Sequence, residues 1–178
     1  MPRLFTALEI AAPIASSLSL LRGGLPGARW IDPENYHITL RFIGDIDHPT
    51  ADEIARALAR VDRKRFDLSL EGVDAFGGKK PHAIAARVKA SPALKELQAE
   101  HERIVQRIGL EPERRKFRPH VTLARIRSAS QADAAAYLAL RGDFKTAPFP
   151  VGRFVLMSSR DAKGGGPYIM EEAYPLAA

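Results

Sequence analysis

The tetrapeptide HITL at positions 37–40 returns as HVTL at 120–123, and this repeated word constrains the fold more than any other feature of the chain. Around the first word the alternation is clean. His37, Thr39 and Arg41 fall on one side of an extended segment, and Ile38, Leu40 and Phe42 fall on the other. A period of two over that length predicts a half-buried strand. The surroundings repeat as well. Each word follows a helical stretch and an irregular loop, and each is succeeded by a helix and two strand-like runs. Repetition in element order, without identity, predicts one bilobed domain over residues 1–178 with an internal repeat and a pseudo-twofold axis. The expected fold class is α+β: two antiparallel sheets, helices packed outside them, and a central groove onto which both His/Thr faces turn.

The remaining segments fit this frame. LFTALEI (4–10) reads as a first strand, and Pro13 opens a helix that Gly23-Gly24 stops. PTADEIARALARV carries Ile54, Leu58 and Val61 at helical spacing, with Thr50 placed to cap it. FDLSLEGV alternates with Phe66, Leu68 and Leu70 on one face, and the loop 77–81 joins it to HAIAARVKA as a hairpin. Ser91-Pro92 starts a helix with Leu94, Leu97, His101, Ile104 and Ile108 on one face, closed by Gly109. HVTLARI is followed by a helix near 130–140, then by GRFVLMSSR and PYIMEEAY joined through the glycine-rich AKGGG turn.

Composition narrows the chemistry. The chain has no cysteine, so disulfides and thiolate metal sites are excluded. Nothing approaches the ~18 consecutive apolar residues of a membrane span, and MPRLFTALEIAAP reads as a strand rather than a signal peptide; a cytoplasmic location is expected. Lysine and arginine number 27 against 21 acidic residues, a net charge of +6, which favours polyanionic partners such as RNA. The surplus is concentrated. Arg114, Arg115, Lys116 and Arg118 crowd before the second word, and Lys79-Lys80 stand in a loop before His82.

On a strand, residues i and i+2 point the same way, so each word presents an imidazole and a hydroxyl together. Imidazole holds or gives a proton near neutrality. Two imidazoles flanking a phosphorus atom can deprotonate the attacking oxygen and protonate the leaving one. Threonine hydroxyls can donate to the non-bridging oxygens. No metal-ligand spacing, P-loop or GxSxG elbow is present, so neither a metal nor a cofactor is expected. The residues alone leave open which histidine is the acid.

HITL with HVTL, the lead-in RWIDPENYH, the FRPH before the second word and Arg125 resemble the two-histidine phosphoesterase superfamily. The chain is most similar to the bacterial RNA 2′,3′-cyclic phosphodiesterases, also called 2′-5′ RNA ligases or LigT-like proteins, and the likeness spans its whole length. The resemblance implies metal-independent hydrolysis of a ribose 2′,3′-cyclic phosphate, on an RNA end or a small cyclic nucleotide, to a 2′-phosphate. It implies His37 as proton donor to the departing 3′ oxygen, His120 as the group that activates water, Thr39 and Thr122 as phosphate ligands, and Arg125 as an added positive charge. The alternatives are ligation by the reverse chemistry and a non-catalytic RNA-binding module of the same fold. A monomer is expected.

Arg125 lies at an odd offset from His120, so a regular strand points it away from the groove unless the chain bulges near Ala124. Arg41, at an even offset from His37, is a second candidate for phosphate binding. Among the other histidines, His101 reads as a satisfied helix-face residue, His48 as a solvated one, and His82 as an exposed loop residue within reach of RNA. Trp30 and Phe117 read as core, whereas Tyr168 is a candidate for stacking on a base.

Overall fold

The computed structural model describes residues 3–159 and 166–178. Strand β1 (Arg3–Glu9) leads into helix α1 (Ala12–Ser19), and β2 (Ala28–Trp30) and a 3-10 turn at Pro33–Asn35 precede the first motif strand, β3 (His37–Asp45). Helix α2 (His48–Leu58) is followed by β4 (Phe66–Leu68), β5 (Leu70–Phe76) and β6 (Ala83–Val88). The second half runs through α3 (Pro92–Ile108), the second motif strand β7 (His120–Ile126), α4 (Gln131–Arg141), β8 (Phe149–Val151), β9 (Arg153–Ser159) and β10 (Tyr168–Pro175). The turn expected at AKGGG lies, Gly166 apart, outside the described residues.

Eight strands form one antiparallel sheet in the order β10-β9-β1-β3-β7-β6-β5, with β2 added alongside β7; β4 and β8 pair separately. The two motif strands therefore lie side by side at the centre. They touch at a single register pair, Ile38 opposite Val121. This narrow seam divides the sheet into two wings, which is the two-sheet, central-groove arrangement of the α+β expectation. The hairpins are exchanged between wings. β5-β6, encoded in the first half, flanks β7; β9-β10, encoded in the second, flanks β1, which pairs on its other edge with β3.

The helices are built from ordinary local signals. Ser91 accepts a hydrogen bond from the Leu94 amide, Pro92 fills the first turn, and Gly109 closes α3 at φ +114°, a conformation open to glycine. Leu94, Leu97, His101, Ile104 and Val105 form the buried face of that helix. Asp47, not Thr50, caps α2, its carboxylate accepting from the Thr50 amide. The helix begins three residues earlier than a Thr50 cap implies, because His48-Pro49 fits its first turn.

Main-core side chains such as Leu8, Ile38, Leu97 and Val121 are fully buried, each contributing roughly 1.5–3 kcal/mol. A smaller cluster of Phe5, Ala7 and Val155, with Met157, Tyr168 and Ala173 against it, packs apart from that core. Phe5 and Tyr168 carry this cluster to the edge of the groove. Trp30 packs on Tyr137 with ring centroids 5.7 Å apart, and Phe117 packs on the core, as expected.

Candidate active site

Between the wings lies a groove of about 490 Å³. His37 and Thr39 reach it from β3, and His120, Thr122 and Arg125 from β7. The two words thus bring both histidines and both threonines to one cavity.

Each imidazole is oriented by the same device. His37 Nδ1 donates to the Asn35 carbonyl at 2.9 Å, and His120 Nδ1 donates to the Arg118 carbonyl at 2.6 Å. A backbone carbonyl two residues upstream thereby fixes the Nδ1–H form and leaves Nε2 as the working nitrogen. His37 Nε2 lies 3.0 Å from Thr39 Oγ1, within the same strand face. Aromatic rings hold the imidazoles in place: Phe5 at 5.1 Å and Tyr168 edge-on at 5.0 Å for His37, and Phe76 edge-on at 4.7 Å for His120. Phe5 falls in the first strand-like run and Phe76 just before the loop 77–81, and no local pattern marks either as a support for a site.

Burial pushes the pKa of both imidazoles below the ordinary histidine value. The carbonyl bonds to Asn35 and Arg118 oppose that shift, while the Arg125 charge adds to it at both rings. His37 also responds to His120, so the two titrate as neighbours. Arg3, Arg115 and Arg125 line the groove, and no carboxylate does among the described residues. The cavity is electrostatically a receptor for an anion. The Arg125 Nε is buried and has no hydrogen-bond partner among the described residues.

The two arginines exchange places relative to simple alternation. In β7, Thr122 pairs with Ala85 and Ala124 with Ile84, so Leu123 is skipped in the register. This bulge turns Ala124 inward and Arg125 to the groove. The same shift occurs in β3: Thr39 pairs with Ala7 and Arg41 with Thr6, skipping Leu40. Arg41 consequently faces away from the groove, is only 7% exposed, and pairs with Glu102 of α3. It is not a phosphate ligand in this geometry. Phe42 takes the groove position instead. A bulge re-aims every side chain beyond it, and both bulges fall on the leucine of the repeated word.

Of the basic run before β7, only Arg115 lines the groove. Arg118 contributes its carbonyl to His120, and His82 reaches the groove wall whereas Lys79 and Lys80 do not. His101 is fully buried, with Nδ1 2.9 Å from Thr6 Oγ1 and its ring edge-on to Phe154. Tyr168 lines the groove.

A family model described as the 2′-5′ RNA ligase superfamily matches residues 22–163. A protein of Aeropyrum pernix named RNA 2′,3′-cyclic phosphodiesterase is 38% identical over 122 residues, 67% of this chain and 69% of that one. One of Aquifex aeolicus with the same name is 31% identical over 175 residues, 93% of this chain and 89% of that one. Among solved structures, E. coli LigT complexed with 3′-AMP superposes with a TM-score of 0.82 over 100% of both chains at 23% identity. TT0787 of Thermus thermophilus gives 0.81 over 97% of both at 21%. These structural likenesses show a shared fold.

Proposed function

Because the chain belongs to the 2′-5′ RNA ligase superfamily, we propose that it hydrolyses 2′,3′-cyclic phosphates on RNA ends or nucleosides to 2′-phosphates, with His37 and His120 as the proton-transfer pair. The observation that carries this reading is the shared groove, in which two imidazoles are locked alike through Nδ1 beside Arg125.

In this reading residues 1–178 act as one bilobed unit, each half supplying a histidine and a threonine. His120, kept neutral by burial, accepts a proton from water as the water oxygen bonds to phosphorus. The bond from phosphorus to the 3′ oxygen breaks, and that oxygen takes the proton of His37. Family resemblance, not geometry, sets this direction of transfer. The free imidazole of His37 favours the neutral form, and the bound phosphate anion reverses that preference by stabilising the cation beside it. Thr39, Thr122 and Arg125 meet the charge on the non-bridging oxygens. Thr39 exchanges its contact with His37 Nε2 for one with the phosphate. The same pair joins ends when a 5′-hydroxyl replaces water. A single chain supplies every group named, which supports a monomer as the working form. Among the described residues no helix is long and apolar enough to cross a membrane.

Incubation with an oligonucleotide ending in a 2′,3′-cyclic phosphate, in excess EDTA, tests this directly. A 2′-phosphate product is expected. No product, or a product only on adding a divalent ion, refutes it.

A further inference from the structure

The displaced Arg41 has a different place in the molecule. Its guanidinium is held by Glu102 through Nε and, at 3.4 Å, through Nη2; Nη1 donates to the Phe42 carbonyl and Nη2 to the Glu111 carbonyl, both at 2.5 Å. Glu102 Oε1 also accepts the Glu113 backbone amide and Gln106 Nε2, each at 2.8 Å. Glu113 in turn accepts the Arg115 amide at 2.9 Å and Arg115 Nε at 3.4 Å. Arg115 lines the groove. A continuous run of charge-assisted bonds, joined through the backbone of Glu113, therefore leads from motif strand β3, through α3, to a cation at the groove.

Residues 111–116, which carry Arg115, have no regular structure and are all exposed. Such a segment has little packing to order it. The loop is anchored before this stretch by the Leu110 amide on the Val105 carbonyl, and after it by the Pro119 carbonyl, which accepts the Val88 amide. Between those anchors, Arg41 holds Glu111 and Glu102 holds Glu113. Arg41 and the Glu102 side chain are 7% and 18% exposed, so water competes weakly for these bonds.

We infer that Arg41 and Glu102 are positioning residues, which fix the 111–116 loop so that Arg115 stands at the groove to receive a phosphate of the RNA strand upstream of the reacting end. The inference rests on the functional reading above. It separates two demands on one site: proton transfer at the terminal phosphate belongs to the motif strands, and strand recognition depends on a loop ordered from beneath. His120 lies outside the relay, because Pro119 and β7 are held by β6.

The test compares wild type, Glu102→Gln, Arg115→Ala and the double variant on two substrates, a cyclic-phosphate-ended oligonucleotide and a mononucleoside 2′,3′-cyclic phosphate. In Glu102→Gln one carboxylate oxygen becomes an amide nitrogen, which opposes either Arg41 Nε or the Glu113 amide, so one link of the relay is lost and the charge that strengthens the other is removed. Oligonucleotide kcat/KM should fall about as far as in Arg115→Ala, roughly five- to tenfold for one phosphate contact at low salt. The double variant should be no worse than Arg115→Ala alone, the non-additivity expected of one pathway. Mononucleoside turnover by Glu102→Gln should stay within about twofold of wild type. Trypsin should cut first after Arg114, Arg115 or Lys116 in Glu102→Gln, and slowly there in wild type. Should Glu102→Gln fold poorly, the apolar pair Arg41→Met with Glu102→Met removes the relay without burying a lone charge. Equal losses on both substrates, additive losses, or unchanged tryptic cutting overturn the inference. A wild type silent on both substrates refutes the functional reading instead, and tryptic cutting then decides whether the relay orders the loop.

Discussion

Phe42 and Arg125 hold corresponding positions in the two halves of the site. Each lies five residues past a motif histidine, each follows a bulge at the motif leucine, and each faces the groove. The residues before them, Arg41 and Ala124, are both turned inward. The repeated word therefore encodes a backbone irregularity as well as a pair of side chains, and it places a ring on one wall and a cation on the other.

The first prediction concerns the proton-transfer pair. His37→Ala and His120→Ala should each lower kcat by about 10²–10⁴-fold, with unfolding midpoints that show a retained fold. Thr39→Val and Thr122→Val should cost less, because each removes one hydrogen bond to phosphate. Residual activity above about a tenth of wild type in either alanine variant, against that 10²–10⁴ range, would sink the two-histidine mechanism.

A second prediction follows from the depressed imidazole pKa values. The Arg125 cation and burial both disfavour protonated His37 and His120 in the free protein. The basic limb of the kcat/KM profile, which reports free His37, should therefore lie at lower pH than the basic limb of kcat, where bound phosphate stabilises the imidazolium. Arg125→Leu should raise both histidine pKa values, read from imidazole proton shifts in NMR titrations. A fall, or coincident basic limbs in wild type, would refute this electrostatic account.

Much of this site was legible in the repeated word. Residue type and alternation placed both histidines and both threonines on one face, and the capping signals of Ser91-Pro92 and Gly109 delimited α3 at both ends. What alternation could not show was its own interruption. Leu40 and Leu123 are apolar residues that fit a regular strand as well as a bulged one, so Arg41 was placed on the wrong face and Arg125 needed an assumed bulge. Pairing between distant strands has no local signature either. Nothing in HAIAARVKA says that it flanks the second motif strand, and the three-residue strands β2 and β8 are too short to show a period. The carbonyls that orient the imidazoles belong to the backbone of Asn35 and Arg118, whose side-chain identities do not announce the role.

The third prediction is a pH dependence of stability centred on His101. Its folded pKa is lowered to about 3, first by burial and then by the charge of Arg63. An unfolded chain returns it to about 6.5. The unfolded state therefore binds the proton first. The stabilisation from a neutral His101 is present above pH 6.5 and is lost as pH falls toward 3. Between pH 6.5 and 5, where few carboxylates titrate, this group should cost about 1.4 kcal/mol per pH unit at most. His101→Leu should flatten that slope relative to wild type in urea unfolding at several pH values. An unchanged slope would show that His101 does not carry it.

The last prediction tests how the basic run before the second motif meets RNA. Arg114, Arg115 and Lys116 are all exposed, and Arg115 alone of the three lines the groove. Phosphate contacts release counterions, so each one adds close to one unit to the slope of log affinity against log salt. Neutralising all three should weaken oligonucleotide binding and flatten its salt dependence, while mononucleoside 2′,3′-cyclic phosphate, which has no upstream phosphate, should lose much less. The structure sharpens the expectation. Arg115→Ala alone should account for most of the change in slope, and Arg114→Ala with Lys116→Ala for the smaller remainder, because those two act through the field around the groove rather than by contact. Binding measured by fluorescence anisotropy from low to high salt separates the contributions. Equal slopes for wild type and the triple variant would return the cluster to solvated loop charge. A larger effect from Arg114 and Lys116 than from Arg115 would mean that the strand leaves the groove by a different wall, and the exposed Lys79-Lys80 hairpin beside His82 would be the place to test it.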